Sequence, residues 1–181
     1  MRELTQTGFT LTEMLVVVAV LAALTAVALP NLAAPDSERV ELAAAELVQA
    51  LRFARSEAER TRIPHGLRID AATETVRLFR VDRGASPPTR DFSVRHPVHK
   101  GLFVLDYRSE PRMPGVGIDS AALSFASPCS NPIDLAFDEH GIPYCVDAAG
   151  AALTEAVVEL GNGRTVRQVV VAGITGRVTL R

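Results

Sequence analysis

Four groups of side chains have the types and spacing to do chemistry. Glu13 is a carboxylate near the start of an apolar run from Phe9 to Leu29. In lipid an ionised carboxylate costs about 2.5 to 3.5 kcal/mol on insertion scales, so Glu13 requires a partner or a function. Cys129 and Cys145 are the only cysteines, and their spacing suits neither a redox CxxC pair nor a zinc site. They read as a disulfide if the domain is exported and as two buried thiols if it is not. Among the histidines His65, His96, His99 and His140, only the "HPVH" stretch of His96 and His99 has ligand-like spacing. Pro97 opposes a helical pair there, and no Asp, Glu or Cys stands close by, so no metal site is expected. Finally, Arg164, Arg167, Arg177 and Arg181 lie in a segment, Leu160 to Arg181, without an acidic residue. Clustered arginines are the footprint of phosphate binding. Scattered along an edge strand, they are instead solvated charges that discourage aggregation, which is the favoured reading.

Other chemistry finds no residues to carry it. The sequence has no nucleophile elbow, P-loop or Gly-rich dinucleotide fingerprint, and Glu139-His140 before Gly141 reads as an ordinary polar turn. An enzyme is the weakest class, and no cofactor is expected. The 19 basic and 21 acidic residues give a net charge of −2, so bulk charge favours no polyanionic partner. The length of 181 residues allows an N-terminal segment and one globular domain.

The elements that must position these residues follow from periodicity. Phe9 to Leu29 is 21 residues, polar only at Thr10, Thr12, Glu13 and Thr25. As a helix it would span roughly 30 Å, the thickness of a bilayer core. A secretory signal peptide is disfavoured: Glu3 offsets the single basic Arg2, Glu13 interrupts the approach to the apolar core, and that core is too long. Between Asn31 and Asp36, Pro35 with Asp36 or Ser37 makes a stop and a fresh N-cap. Val40, Ala44, Leu47, Leu51, Ala54 and Ala58 then recur at spacings of three and four, predicting an amphipathic helix to about Arg62. After Ile63-Pro64 the period becomes two. "HGLRID" and "TVRLFRV" read as a hairpin, Asp82 to Arg95 as an exposed loop, and seven further short strands follow, with Asn162-Gly163 as a hairpin turn. A helix followed by antiparallel strands predicts an α+β fold with the helix packed on a sheet.

The stretch "TGFTLTEMLVVVAVLAAL" resembles the processing site of type IV pilins and type II secretion pseudopilins. The resemblance implies a leader of residues 1–8 cut after Gly8 by a prepilin peptidase, with N-methylation of the new terminus, Phe9. It also implies a kink at Pro30, whose ring removes one helical hydrogen bond. In such filaments the glutamate corresponding to Glu13 lies against the terminal amine of a neighbouring subunit. Further along, "LVQALRFARSEAERTRIPHGLRI", "IDLAFDEHGIPYCV" and "VVVAGITGRVTLR" resemble the FimT/GspH group of minor pilins and H-type pseudopilins. Some minor pilins carry a C-terminal disulfide, and a Cys129–Cys145 pair would point toward the pilus. Members serving DNA uptake bind through Gly-Arg-x-Arg. This chain has Gly176-Arg177-Val178-Thr179, with Arg181 roughly 13 Å from Arg177 along a strand instead of roughly 7 Å.

Four segments are therefore expected: the leader 1–8, a membrane and assembly helix 9–29, a kink and amphipathic helix 30–62, and a β-rich periplasmic domain 63–181. The function implied is a subunit of a pilus or pseudopilus anchored in the inner membrane. Its partners would be other pilin subunits, the prepilin peptidase and the assembly platform. A DNA-binding subunit of the same filament is the alternative. A membrane-anchored periplasmic binding or enzymatic domain, with an uncleaved N-terminus, is the third reading.

Overall fold

Nine residues of one helix face, Val40, Ala43, Ala44, Leu47, Val48, Ala50, Leu51, Ala54 and Ala58, are buried and organise the fold. The computed structural model describes residues 10–28, 35–147 and 150–181. Gly8, Phe9 and Pro30, with the expected leader and kink, lie outside the described residues. The chain divides into two compact units, Met1–Pro35 and Asp36–Arg181.

The first unit holds α1 (Leu11–Ala28), an 18-residue helix. The second opens with α2 (Asp36–Thr61), whose first turn carries Asp36 and Glu38, acids that suit the positive end of a helix dipole. It stops where Arg62 adopts φ 58° and its N–H donates to the Ala58 carbonyl, a left-handed cap made without glycine. All six apolar positions predicted for its inner face are buried.

The strands form two antiparallel sheets rather than the single sheet expected. The first contains β1 (His65–Asp70), β2 (Thr75–Asp82), β3 (Thr89–Asp91), β4 (Val104–Asp106), β6 (Asp134–Phe137) and β7 (Pro143–Tyr144). Its order is β3-β2-β1-β6-β7, and β4 shares the outer edge of β2 with β3. The second, in order β10-β9-β8-β5, contains β5 (Gly117–Phe125), β8 (Leu153–Gly161), β9 (Val166–Ala172) and β10 (Val178–Leu180). Side chains of both sheets, such as Leu67 and Leu135 of the first and Val158 and Val171 of the second, share one core with α2. At the β8–β9 turn, Asn162 Oδ1 accepts the N–H groups of Arg164 and Thr165 while Gly163 takes φ +79°, as the Asn-Gly signal predicts.

The expected exposed loop, Asp82 to Arg95, is in part a cover. Thr89–Asp91 pairs with β2, and the Phe92 ring sits edge-on to buried Phe79 at 5.6 Å. Around them Val81 of β2, Ala136 of β6 and Val146, just after β7, make a second apolar cluster. The Gly- and Pro-rich composition hid one aromatic and one arginine that turn inward.

Candidate functional site

Glu13 is satisfied locally. Thr10 precedes α1, and Glu13 stands at its third position. Glu13 Oε2 accepts from the Thr10 N–H and Oγ1 at 2.9 Å each, and the Glu13 N–H donates to Thr10 Oγ1 at 3.3 Å. This reciprocal pair is a capping box, and its T-x-x-E signature was legible ahead of an apolar run. Sequence reasoning that sought a cation for Glu13 missed it. The carboxylate supplies acceptors to a helix end; the cap neutralises no charge.

The large apolar side chains of α1 are exposed along its length. Leu11, Met14, Leu15, Val16, Val17, Val18, Val20, Leu21 and Leu24 are all exposed, from 51% to 82%. A helix apolar on every side must be covered by lipid or by other helices. Among the described residues no helix is long and apolar enough by itself to cross a membrane. The expected span ran from Phe9 to Leu29 and so extends past α1 at both ends.

The four C-terminal arginines separate into two pairs. Arg167 Nε lies 2.7 Å from Glu41, and Arg164 lies 3.4 Å from Asp36, so acids of α2 balance two of the four charges. Arg177 and Arg181 have no ion pair with any described residue. The Arg177 side lines an open groove with Gly176, Val178, Thr179 and Leu180 of the chain end and Arg52 and Arg55 of α2. Sequence reasoning missed Arg52 and Arg55, because they stand on the predicted polar face of a helix more than 100 residues away in sequence. Two turns hold the groove's end. In the Phe137-Asp138-x-x-Gly141 hairpin, Asp138 Oδ1 accepts the N–H groups of His140 and Ile142 at 2.9 and 2.8 Å, while Gly141 takes φ +75°. A Cβ on Gly141 would run into Arg55 and Glu59, and one on Gly176 (φ +60°) would meet the Gly141 carbonyl.

Cys129 and Cys145 are bonded, with Cα atoms 6.0 Å apart. Beside them is a charge network. Fully buried Asp134 accepts two hydrogen bonds from Arg68, at 2.7 and 2.8 Å. Arg90 Nε stands 2.5 Å from Asp134 Oδ2 as an ion pair without the alignment of a hydrogen bond. The other end of Arg90 donates to Asp147 at 2.6 Å, and Asp147 also accepts from Asn131 at 2.7 Å. Burial pushes the Asp147 carboxyl up, but the Asn131 and Arg90 hydrogen bonds outweigh it and hold the group below the usual carboxylate range. The network fastens the disulfide loop to β1 and β3. Cys129, Cys145 and Asp147 are also the one metal-like grouping among the described residues, but both sulfurs are spent in the bond.

His96 and His99 stack with ring centroids 4.0 Å apart, and His96 packs on Phe103 at 4.8 Å. His96 Nδ1 accepts the Val98 N–H at 3.1 Å, so this nitrogen closes a turn. Glu46, Asp106 and Glu110 share the same depression, acids that spacing in sequence does not reveal.

Residues 4–29 match the model of the prokaryotic N-terminal methylation motif. Two structures of the minor pseudopilin EpsH from the type II secretion system of Vibrio cholerae are similar in fold. One is 14% identical with a TM-score of 0.53, covering 79% of this chain and 96% of that one. The other is 15% identical with a TM-score of 0.55, covering 80% and 94%. The type IV minor pilin FimU of Pseudomonas aeruginosa matches at 22% identity and a TM-score of 0.45, covering 81% and 92%. No curated protein sequence matches the chain. The chain thus joins a prepilin-type N-terminus to the pilin-like fold of a minor pseudopilin.

Proposed function

We propose that this protein is a minor subunit of a pilus-type filament, a type IV pilus or a type II secretion pseudopilus, built from the inner membrane. The observation that carries the reading is α1: a helix apolar on every side, within a match to the methylation motif, ahead of a domain that buries its own core. Membrane and filament are the two environments that cover such a helix. Before assembly lipid does so, and afterwards the helices of other subunits take its place. Prepilin peptidase would cut after Gly8 on the cytoplasmic side and methylate Phe9, leaving residues 36–181 in the periplasm.

Cutting after Gly8 creates an α-ammonium one residue before the cap. In the filament, Glu13 of one subunit would pair with the Phe9 ammonium of a neighbour, and a buried carboxylate becomes tolerable when so paired. The cap and the pair use one carboxylate in two ways, and two substitutions separate them. Glu13→Gln keeps an acceptor for the Thr10 cap but removes the charge; Thr10→Ala weakens the cap but leaves the charge. Sheared filaments are probed for the subunit by immunoblot. The expected result is loss of Glu13→Gln and retention of Thr10→Ala, with both present in the membrane fraction. Normal incorporation of Glu13→Gln would sink the pairing.

The four-arginine DNA interface expected as the alternative gains no support from the geometry, since Asp36 and Glu41 hold two of its members.

A further inference from the structure

β10 is an edge strand, and its hydrogen-bonding phase can be read from its neighbours. Gln168 and Arg181 exchange both backbone hydrogen bonds, at 2.9 and 2.8 Å, and the Ala172 N–H donates to the Arg177 carbonyl at 2.9 Å. With Thr179 opposite Val170, the alternation of an antiparallel pair turns the groups of residues 177, 179 and 181 toward β9. Val178 and Leu180 fall between them, so their N–H and C=O groups point away from β9. No second strand pairs with β10 among the described residues. The Val178 carbonyl confirms the phase, because it accepts from Arg52 at 3.5 Å across the groove. The Val178 N–H and both groups of Leu180 have no partner among the described residues.

The groove therefore offers an unpaired strand edge with donors and an acceptor in alternation, lined by Arg52, Arg55 and Arg177. Among the described residues Glu59, which accepts from Arg55 at 3.0 Å, is the one acid paired with these three arginines. β10 contains no proline or lysine, and the charges that flank it, Arg177 and Arg181, disfavour a basic strand and attract an acidic one.

We infer that the groove between α2 and β10 receives an extended acidic peptide, which adds a strand to β10 and sets its carboxylates against Arg52, Arg55 and Arg177. Strand addition takes its affinity from main-chain hydrogen bonds and its selectivity from the side chains beside the edge. A nucleic-acid strand fits less well. Its phosphates would use the two N–H groups but would face the Leu180 carbonyl, which can bond only a donor. The partner is accordingly a protein segment with acids spaced along a strand.

The test uses the full chain in detergent micelles and a fluorescein-labelled hexapeptide of alternating valine and glutamate, followed by anisotropy. Saturable binding is expected, with none for the same peptide carrying lysine in place of glutamate. Arg52→Gln and Arg177→Gln should each weaken it about tenfold, the usual effect of losing a charge-assisted hydrogen bond. Leu180→Pro removes an N–H that faces the groove and leaves the β9 ladder intact, so it should abolish binding in a folded protein. Amide hydrogen exchange of the wild-type chain gives an independent readout: the Val178 and Leu180 amides should slow when the peptide is added. Unchanged exchange at those amides overturns the proposal, as does wild-type binding by Leu180→Pro. It is equally overturned if a single-stranded oligonucleotide binds more tightly than the peptide and is indifferent to Leu180→Pro.

Discussion

The two helices of this chain bury apolar surface in opposite ways. α2 concentrates its apolar residues on one face, nine of them buried, and gives the other face to charges such as Glu41, Arg52 and Glu59. α1 is apolar on all sides, with nine large side chains exposed and a single carboxylate folded back into its own cap. α2 is satisfied by the domain that follows it. α1 leaves its large side chains exposed, and the proposed function gives their cover to lipid and to other subunits. The difference separates the body, made by α2 and the two sheets, from the exposed apolar helix to which the proposed function assigns assembly.

The contrast is broken most directly by truncating one side chain in each helix. Leu47→Ala, in the core, should destabilise residues 36–181 by roughly 2 to 5 kcal/mol, read as a lower denaturation midpoint. Leu15→Ala should leave that midpoint unmoved, since Leu15 is 63% exposed and belongs to neither buried apolar cluster of the described residues. Equal losses would mean that α1 is part of the folded body. Next in size is the disulfide, which closes a loop with a sequence separation of 16. Replacing Cys129 and Cys145 by serine should cost about 3 kcal/mol in chemical denaturation, again in the second unit alone.

A smaller effect follows from pH. Burial holds the His65 imidazole below its ordinary range, although its Nδ1 bonds the Ile63 carbonyl at 2.7 Å. The unfolded chain therefore takes up this proton first, so stability should decline as pH falls below about 6.5 and level off below the folded value. Asp147, held low, adds its own loss only below about pH 4, where the unfolded carboxyl protonates. A midpoint flat from pH 7 to 5 in wild type, or one equally steep in His65→Gln, would contradict the assignment. Smallest of all, Arg167→Ala should change stability by no more than about 1 kcal/mol, because its pair with Glu41 is exposed.

Where one residue type repeats at a fixed period, the sequence already contained the answer. The inner face of α2, the hairpin of β1 and β2 and the Asn162-Gly163 turn all follow from spacing that neighbours a few residues apart impose. The division into two sheets did not, because it depends on β6 pairing with β1 while β5 pairs with β8, long-range choices with no local signal. The site divides in the same way. The Thr10–Glu13 cap is local and could have been read. The groove is not, because it joins Arg52 and Arg55 of α2 to the chain end, and the acids that occupy Arg164 and Arg167 lie more than 120 residues earlier in sequence.

The central claim is that α1 begins at a processed end and serves as an assembly surface. Intact-mass and N-terminal peptide mass spectrometry of the protein from membranes of a cell expressing a prepilin peptidase tests it most directly. The account predicts a chain beginning at Phe9 and heavier by one methyl group on its α-amine. A chain still beginning at Met1, or one cut behind the apolar run near Ala28, would contradict it.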